Sequence, residues 1–173
     1  MKLNLNQTDS KVAHGLLAVP MLDVVRFASQ TERHTYAVRK YADSNTRGER
    51  AELMAMTLLD AVAYYPRQSG KEYGDLELAD GSMVQVKTDG GQLGTSTGTV
   101  QDRLVRAYAA IDSDACDWYL LIAKDNKGYT AVTKDELKQA LPILFKDSDR
   151  DNLRLTINEK RLRQAFSTDY KRV

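Results

Sequence analysis

The sequence predicts an α/β domain, and three observations carry that expectation. The stretch Tyr73–Lys87, YGDLELADGSMVQVK, alternates apolar and polar positions around Asp80-Gly81, as a hairpin does. Trp118–Ala123, WYLLIA, is a continuous apolar run that suits a central strand buried on both faces. The remaining segments carry apolar residues at helical spacing, several of them behind a capping residue. A chain of 173 residues is one ordinary domain, long enough to bury a core. A hydrophobic content of 42% with 28% charged residues fits a soluble globular protein. The formal net charge is only +1, so any binding of nucleic acid must come from local patches.

Taken in order, residues 1–10 are polar, and Ser10 is placed to cap a helix over about Lys11–Ser29. Ala13, Leu16, Leu17, Val24, Val25 and Phe27 supply its apolar positions, and Pro20 leaves one helix or two open. A further helix is expected over about Glu32–Tyr41. His14 and His34 are the only histidines, with no partner at ligand spacing, so neither is read as a metal ligand. After the break at Asn45–Gly48, a strong helix is expected over Glu49–Tyr64, with Leu53, Met56, Leu59 and Ala63 on one stripe. Then comes the hairpin, followed by a polar loop, Thr88–Gly98. Its four glycines and four hydroxyl residues in eleven positions suit close approach to a ligand. Gln92, Thr95, Ser96 and Thr97 are the candidate contacts to phosphates or base edges.

Thr99 and Asp102 read as the N-cap of a helix in which Arg103 and Arg106 could meet phosphates or simply face solvent. WYLLIA follows, then a hairpin turn at Lys127-Gly128 and a return strand over Tyr129–Val132. Thr133 and Glu136 form a capping box for a helix to about Leu141, which Pro142 is expected to end. The tail, LRLTI and then Glu159–Phe166, suggests a strand and a short helix with a basic end. Domain organisation is therefore a single unit over 1–173: a helical region 1–47, a core 48–145 and a basic C-terminal extension 146–173. The single Cys116 rules out an internal disulfide and fits a reducing cytoplasm. No signal peptide or long apolar run is present, so neither export nor membrane spanning is expected.

The polar face of the first hairpin is its unusual part. Gln85 and Lys87 are two residues apart and point the same way from the pleat. The hairpin can bring Asp75 alongside them, so a carboxylate, an amide and an ammonium converge. This pattern resembles the PD-(D/E)xK nuclease superfamily: Gly74-Asp75 stands where the family has Pro-Asp, and Gln85-Val86-Lys87 stands for (D/E)xK. The likeness covers roughly residues 48–123 in element order, and the spacing of Asp75 to Gln85 is similar to that of small type II restriction endonucleases.

The resemblance implies a restriction-endonuclease-like core, a mixed central sheet flanked by helices. It implies a magnesium-dependent hydrolase of phosphodiester bonds in double-stranded DNA, with Mn2+ able to substitute. Asp75, the side-chain oxygen of Gln85 and the backbone carbonyl of Val86 would be the metal ligands. Glu52, on the preceding helix, would reach the metal through water; the alternative is a favourable acid in the first turn of a helix. Lys87 would orient the nucleophilic water. Cutting both strands implies a homodimer or higher even oligomer, for which the amino-terminal helices are the candidate contact. A junction resolvase or a homing endonuclease of the same superfamily stays open, as do a DNA-binding module that has lost activity, with Gln85 as the sign of decay, and an unrelated α/β interaction protein in which Asp75, Gln85 and Lys87 form a surface polar cluster.

Overall fold

A computed structural model describes residues 24–66, 74–93, 98–124, 128–145 and 154–166. It is an α/β fold: one six-stranded mixed sheet with helices on both faces. In chain order the elements are β1 (Val25–Arg26), α1 (Gln30–Asp43), α2 (Arg47–Leu58), β2 (Ala63–Tyr64), β3 (Leu76–Glu77) and β4 (Met83–Thr88). There follow α3 (Val100–Ser113), β5 (Trp118–Ile122), β6 (Tyr129–Thr133), α4 (Lys134–Leu144) and α5 (Glu159–Ala165). The strands lie in sequence order, and only β4 and β5 run parallel. That parallel step needs a crossover, and α3 supplies it.

Alternation along β4 sorts the core. Val84 and Val86 pack with Leu120 and Ile122 of β5 against Leu53, Ala55 and Met56 of α2. Tyr119 and Leu121 face the other way, onto Ala107 and Ile111 of α3 and Leu137, Leu141 and Leu144 of α4. Leu120, Leu121 and Ile122 are wholly buried, each contributing roughly 1.5–3 kcal/mol, so β5 anchors both layers and holds β4 beside it. The C-terminal segment belongs to this core: Leu155, Ile157 and Leu162 are buried in the α3–α4 layer.

Several elements differ from the sequence expectation. Val24, Val25 and Phe27 are not helical; Val25 and Arg26 pair with Tyr64 and Ala63, and Ser29 caps α1 by accepting from the Glu32 N–H. The portion of that expected helix before Val24 lies outside the described residues. α2 stops at Leu58 instead of running to Tyr64. Asp60 takes a left-handed conformation, φ 53°, and the buried Arg33 guanidinium grips its carboxylate and donates to the Ala61 carbonyl at 3.0 Å. The chain thus turns out of the helix into β2, a two-residue strand that apolar periodicity had merged with it. Pro142 lies inside α4, which continues to Leu144. Among the described residues of the LRLTI segment, Leu155 and Arg154 form isolated bridges, with Phe145 and Gln92 respectively.

The Asp80-Gly81 turn is as expected, with Gly81 at φ 86°. The capping boxes at Thr99–Asp102 and Thr133–Glu136 are both present. No helix among the described residues is long and apolar enough to cross a membrane.

Candidate active site

The β3–β4 ladder ends at the pair Leu76–Val84. One residue earlier, the Asp75 N–H still donates to the Val84 carbonyl at 2.8 Å, which locks Asp75 beside Gln85. Gly74 makes that approach possible. A Cβ there would lie 2.7 Å from the Val84 carbonyl oxygen, closer than real Cβ contacts come. Glycine at position 74 is therefore explained by how tightly the chain crosses β4.

Past this point β4 offers its edge groups to side chains. The Val86 N–H donates to Asp75 Oδ2 at 2.7 Å, and Gln85 Nε2 donates to the same oxygen at 2.5 Å. Both bonds fall on Oδ2. In an extended strand the N–H and C=O of one residue point to the same side. The Val86 carbonyl therefore faces the gap that the Asp75 carboxylate occupies.

Asp75 is buried, with 9% of its surface exposed. Burial, then the negative charge of Glu52, push its carboxyl up to about 7. The Val86 N–H and the Lys87 ammonium pull the other way, and Asp114 adds a smaller push upward. Glu52 projects from α2. Its carboxyl is also raised, by burial first and by Glu49, while the Tyr64 hydroxyl and Lys87 lower it. The charge of Glu52 thus destabilises that of Asp75, and one ammonium acts on both. Asp75, Gln85 and Val86 are joined by hydrogen bonds where β3 and β4 part, and Glu52 and Lys87 act on Asp75 through their charge.

Two members of this neighbourhood were not read from the sequence. Tyr64, on β2, donates from its hydroxyl to Glu52 Oε2 at 2.9 Å. Asp114, the C-cap of α3, accepts from the Tyr119 hydroxyl, and Tyr119 pairs with Gln85 across the β4–β5 register. Tyr64 was hidden by its apparent place in a helix. Asp114 carries no local signal, since only the crossover brings it back to β4.

The proposed DNA-contacting residues fare differently. Thr95, Ser96 and Thr97 lie outside the described residues. The first part of that loop is structural: Gly90 N–H donates to the Leu155 carbonyl, Leu155 N–H to the Gly91 carbonyl, and Ile157 N–H to Asp89 Oδ1. Gln92 is exposed beside Arg154. Arg103 folds back on the helix start, its Nε donating to the Gly98 carbonyl at 3.0 Å. Arg47 stands at the same end of the sheet, paired with Asp89 at 3.3 Å and more than half exposed.

A divalent cation can be tested against these donors. Among the described residues no three His, Cys, Asp or Glu side chains group as a metal site. The cluster does offer two mutually repelling carboxylates, an amide oxygen and a strand carbonyl. That all-oxygen set fits magnesium, which binds through one or two carboxylates and keeps several waters. As the side chains stand, Gln85 turns its nitrogen to Asp75, so its oxygen would reach a shared cation only after the amide rotates. No protein-family model matches the chain, and no curated protein matches it in sequence.

Proposed function

We propose that this chain is a magnesium-dependent endonuclease that hydrolyses phosphodiester bonds in double-stranded DNA, most simply a type II restriction endonuclease. Its core is then a restriction-endonuclease-like arrangement, with β3, β4 and β5 as the catalytic strands and α2 and α3 on opposite faces. The observation that carries the reading is the Asp75 carboxylate. It is buried at the point where β3 and β4 part, fixed by the Val86 N–H, raised by Glu52 and answered by Lys87. A buried carboxylate is costly unless it is paired or hydrogen-bonded; this one accepts two hydrogen bonds on Oδ2 and still meets the like charge of Glu52.

In the mechanism, Asp75 is held by Oδ2, so Oδ1 is the oxygen left to bind the cation, together with the Val86 carbonyl. Glu52 completes the negative surroundings from α2. Magnesium would offset charge on the scissile phosphate and lower the pKa of a nearby water. Lys87 Nζ orients the attacking water and stabilises charge gathering on the phosphate oxygens. The water oxygen bonds to phosphorus, the bond to the leaving sugar oxygen breaks, and a phosphomonoester and a hydroxyl result. Because one such site cuts one strand, a two-fold dimer would present two.

One observation favours a second reading. The Gln85 amide donates to Asp75 and neutralises nothing, so a DNA-binding module without cleavage would use the same geometry. A substrate panel separates the readings. Linear duplex, four-way junction and single-stranded DNA are each incubated with Mg2+ or Mn2+, and binding is read in parallel by mobility shift in Ca2+. Fixed duplex fragments support the restriction reading, and resolved junctions support a resolvase. A shift without cutting supports the inactive module, and neither shift nor cutting sinks all of them.

A further inference from the structure

We propose that Tyr64 is a positioning residue that fixes Glu52 in the cation-binding cluster, an inference that rests on the nuclease reading. Tyr64 is almost wholly buried, at 2% exposure, and β2 sets its backbone by pairing with Leu76, the neighbour of Asp75. Its ring is held edge-on by Tyr36, with centroids 6.2 Å apart, and Tyr36 is packed in turn by Phe27 at 5.5 Å. The hydroxyl therefore has little freedom, and it spends its proton on Glu52 Oε2 at 2.9 Å.

That bond spans two elements. Glu52 comes from α2, while Tyr64 comes from the strand beside the one that carries Asp75 into place. A glutamate side chain with several rotatable bonds would otherwise turn away from a neighbouring carboxylate that repels it. With Oε2 tied to Tyr64, Oε1 is the oxygen left to serve a cation. The hydroxyl is thus a strut that keeps Glu52 from turning away from Asp75, and a bound cation would offset the repulsion between them. Groups that orient metal-binding side chains in this way act on metal affinity without touching the metal.

The test is calorimetric titration of Mn2+ into wild type and Tyr64→Phe, with cleavage kinetics beside it. The Kd for Mn2+ should rise about tenfold in Tyr64→Phe, with the KM for DNA unchanged and the rate recovered at high metal. The decisive comparison is the Glu52→Ala background, where adding Tyr64→Phe should change the Kd no further. Glu52→Asp, one methylene shorter and so drawn back from the hydroxyl, should weaken Mn2+ like Tyr64→Phe and serves if the latter fails to fold. An unchanged Kd in Tyr64→Phe, or an equal loss with and without Glu52, overturns the role of Tyr64 alone. A wild-type protein that binds neither Mn2+ nor Mg2+ overturns this inference and the nuclease reading together.

Discussion

Replacing Asp75 by asparagine should make the protein more stable at pH 8 while ending cleavage. The Asp75 carboxyl is displaced from its ordinary 3.8 up to about 7 by burial and by Glu52. The folded state therefore keeps the proton that the unfolded chain releases near pH 4. Stability falls as pH rises from about 4 to about 7, and the full penalty is present above that range. At about 1.4 kcal/mol per tenfold, the ionised fold carries about 4 kcal/mol of penalty. Asparagine is close to isosteric, and its amide oxygen can still accept from the Val86 N–H and from Gln85. Asp75→Asn should then melt roughly 10 °C above wild type at pH 8, given ~3 °C per kcal/mol for a chain of this size. The gap should shrink steadily toward pH 4. Thermal melts by circular dichroism across pH 4–8, without divalent metal, read it directly. A variant that melts below wild type at pH 8, or a gap independent of pH, would refute the argument that a buried, like-charge-crowded carboxylate sits at this strand end.

Further outcomes follow from the same geometry. Gln85→Glu places a third carboxylate against Asp75, so it should lower the melting temperature in EDTA at pH 8 and bind Mg2+ more tightly than wild type, by calorimetry. Gly74→Ala forces a Cβ to within 2.7 Å of the Val84 carbonyl, so the Asp75 segment must shift; a loss of ~1–3 kcal/mol by urea unfolding and a large loss of cleavage are expected. At limiting Mg2+, the cleavage rate should rise with pH through about 7 as Asp75 loses its proton, and saturating Mg2+ should move that midpoint downward.

The sequence showed the heart of this site because the heart is local. Asp75, Gln85 and Lys87 belong to one hairpin, and the Asp80-Gly81 turn with period-two alternation was enough to bring them together. Capping boxes at Thr99 and Thr133 were legible for the same reason, since both partners lie within a single turn. What the sequence hid depends on residues far apart in the chain. α2 ends where it does because Arg33, on another helix, grips Asp60 and the Ala61 carbonyl, so Tyr64 became a strand residue rather than another helical position. The polar run after Lys87 read as a ligand-contacting loop, and the hydrogen bonds that tie its Asp89, Gly90 and Gly91 to Leu155 and Ile157 carried no local signal. Pro142 read as a stop, but buried Leu141 and Leu144 hold the last turn of α4 against the sheet layer despite the missing N–H.

The central claim is that Asp75 and Lys87 form a cation-dependent phosphodiesterase site, and one comparison tests it most directly. Wild type and Lys87→Ala, both confirmed as folded, are incubated with supercoiled duplex DNA in Mg2+ and in EDTA. Discrete linear products are expected from wild type in Mg2+ alone, and intact DNA in EDTA and with Lys87→Ala in either condition. Intact DNA with wild type in Mg2+, or cleavage that Lys87→Ala retains, would contradict it.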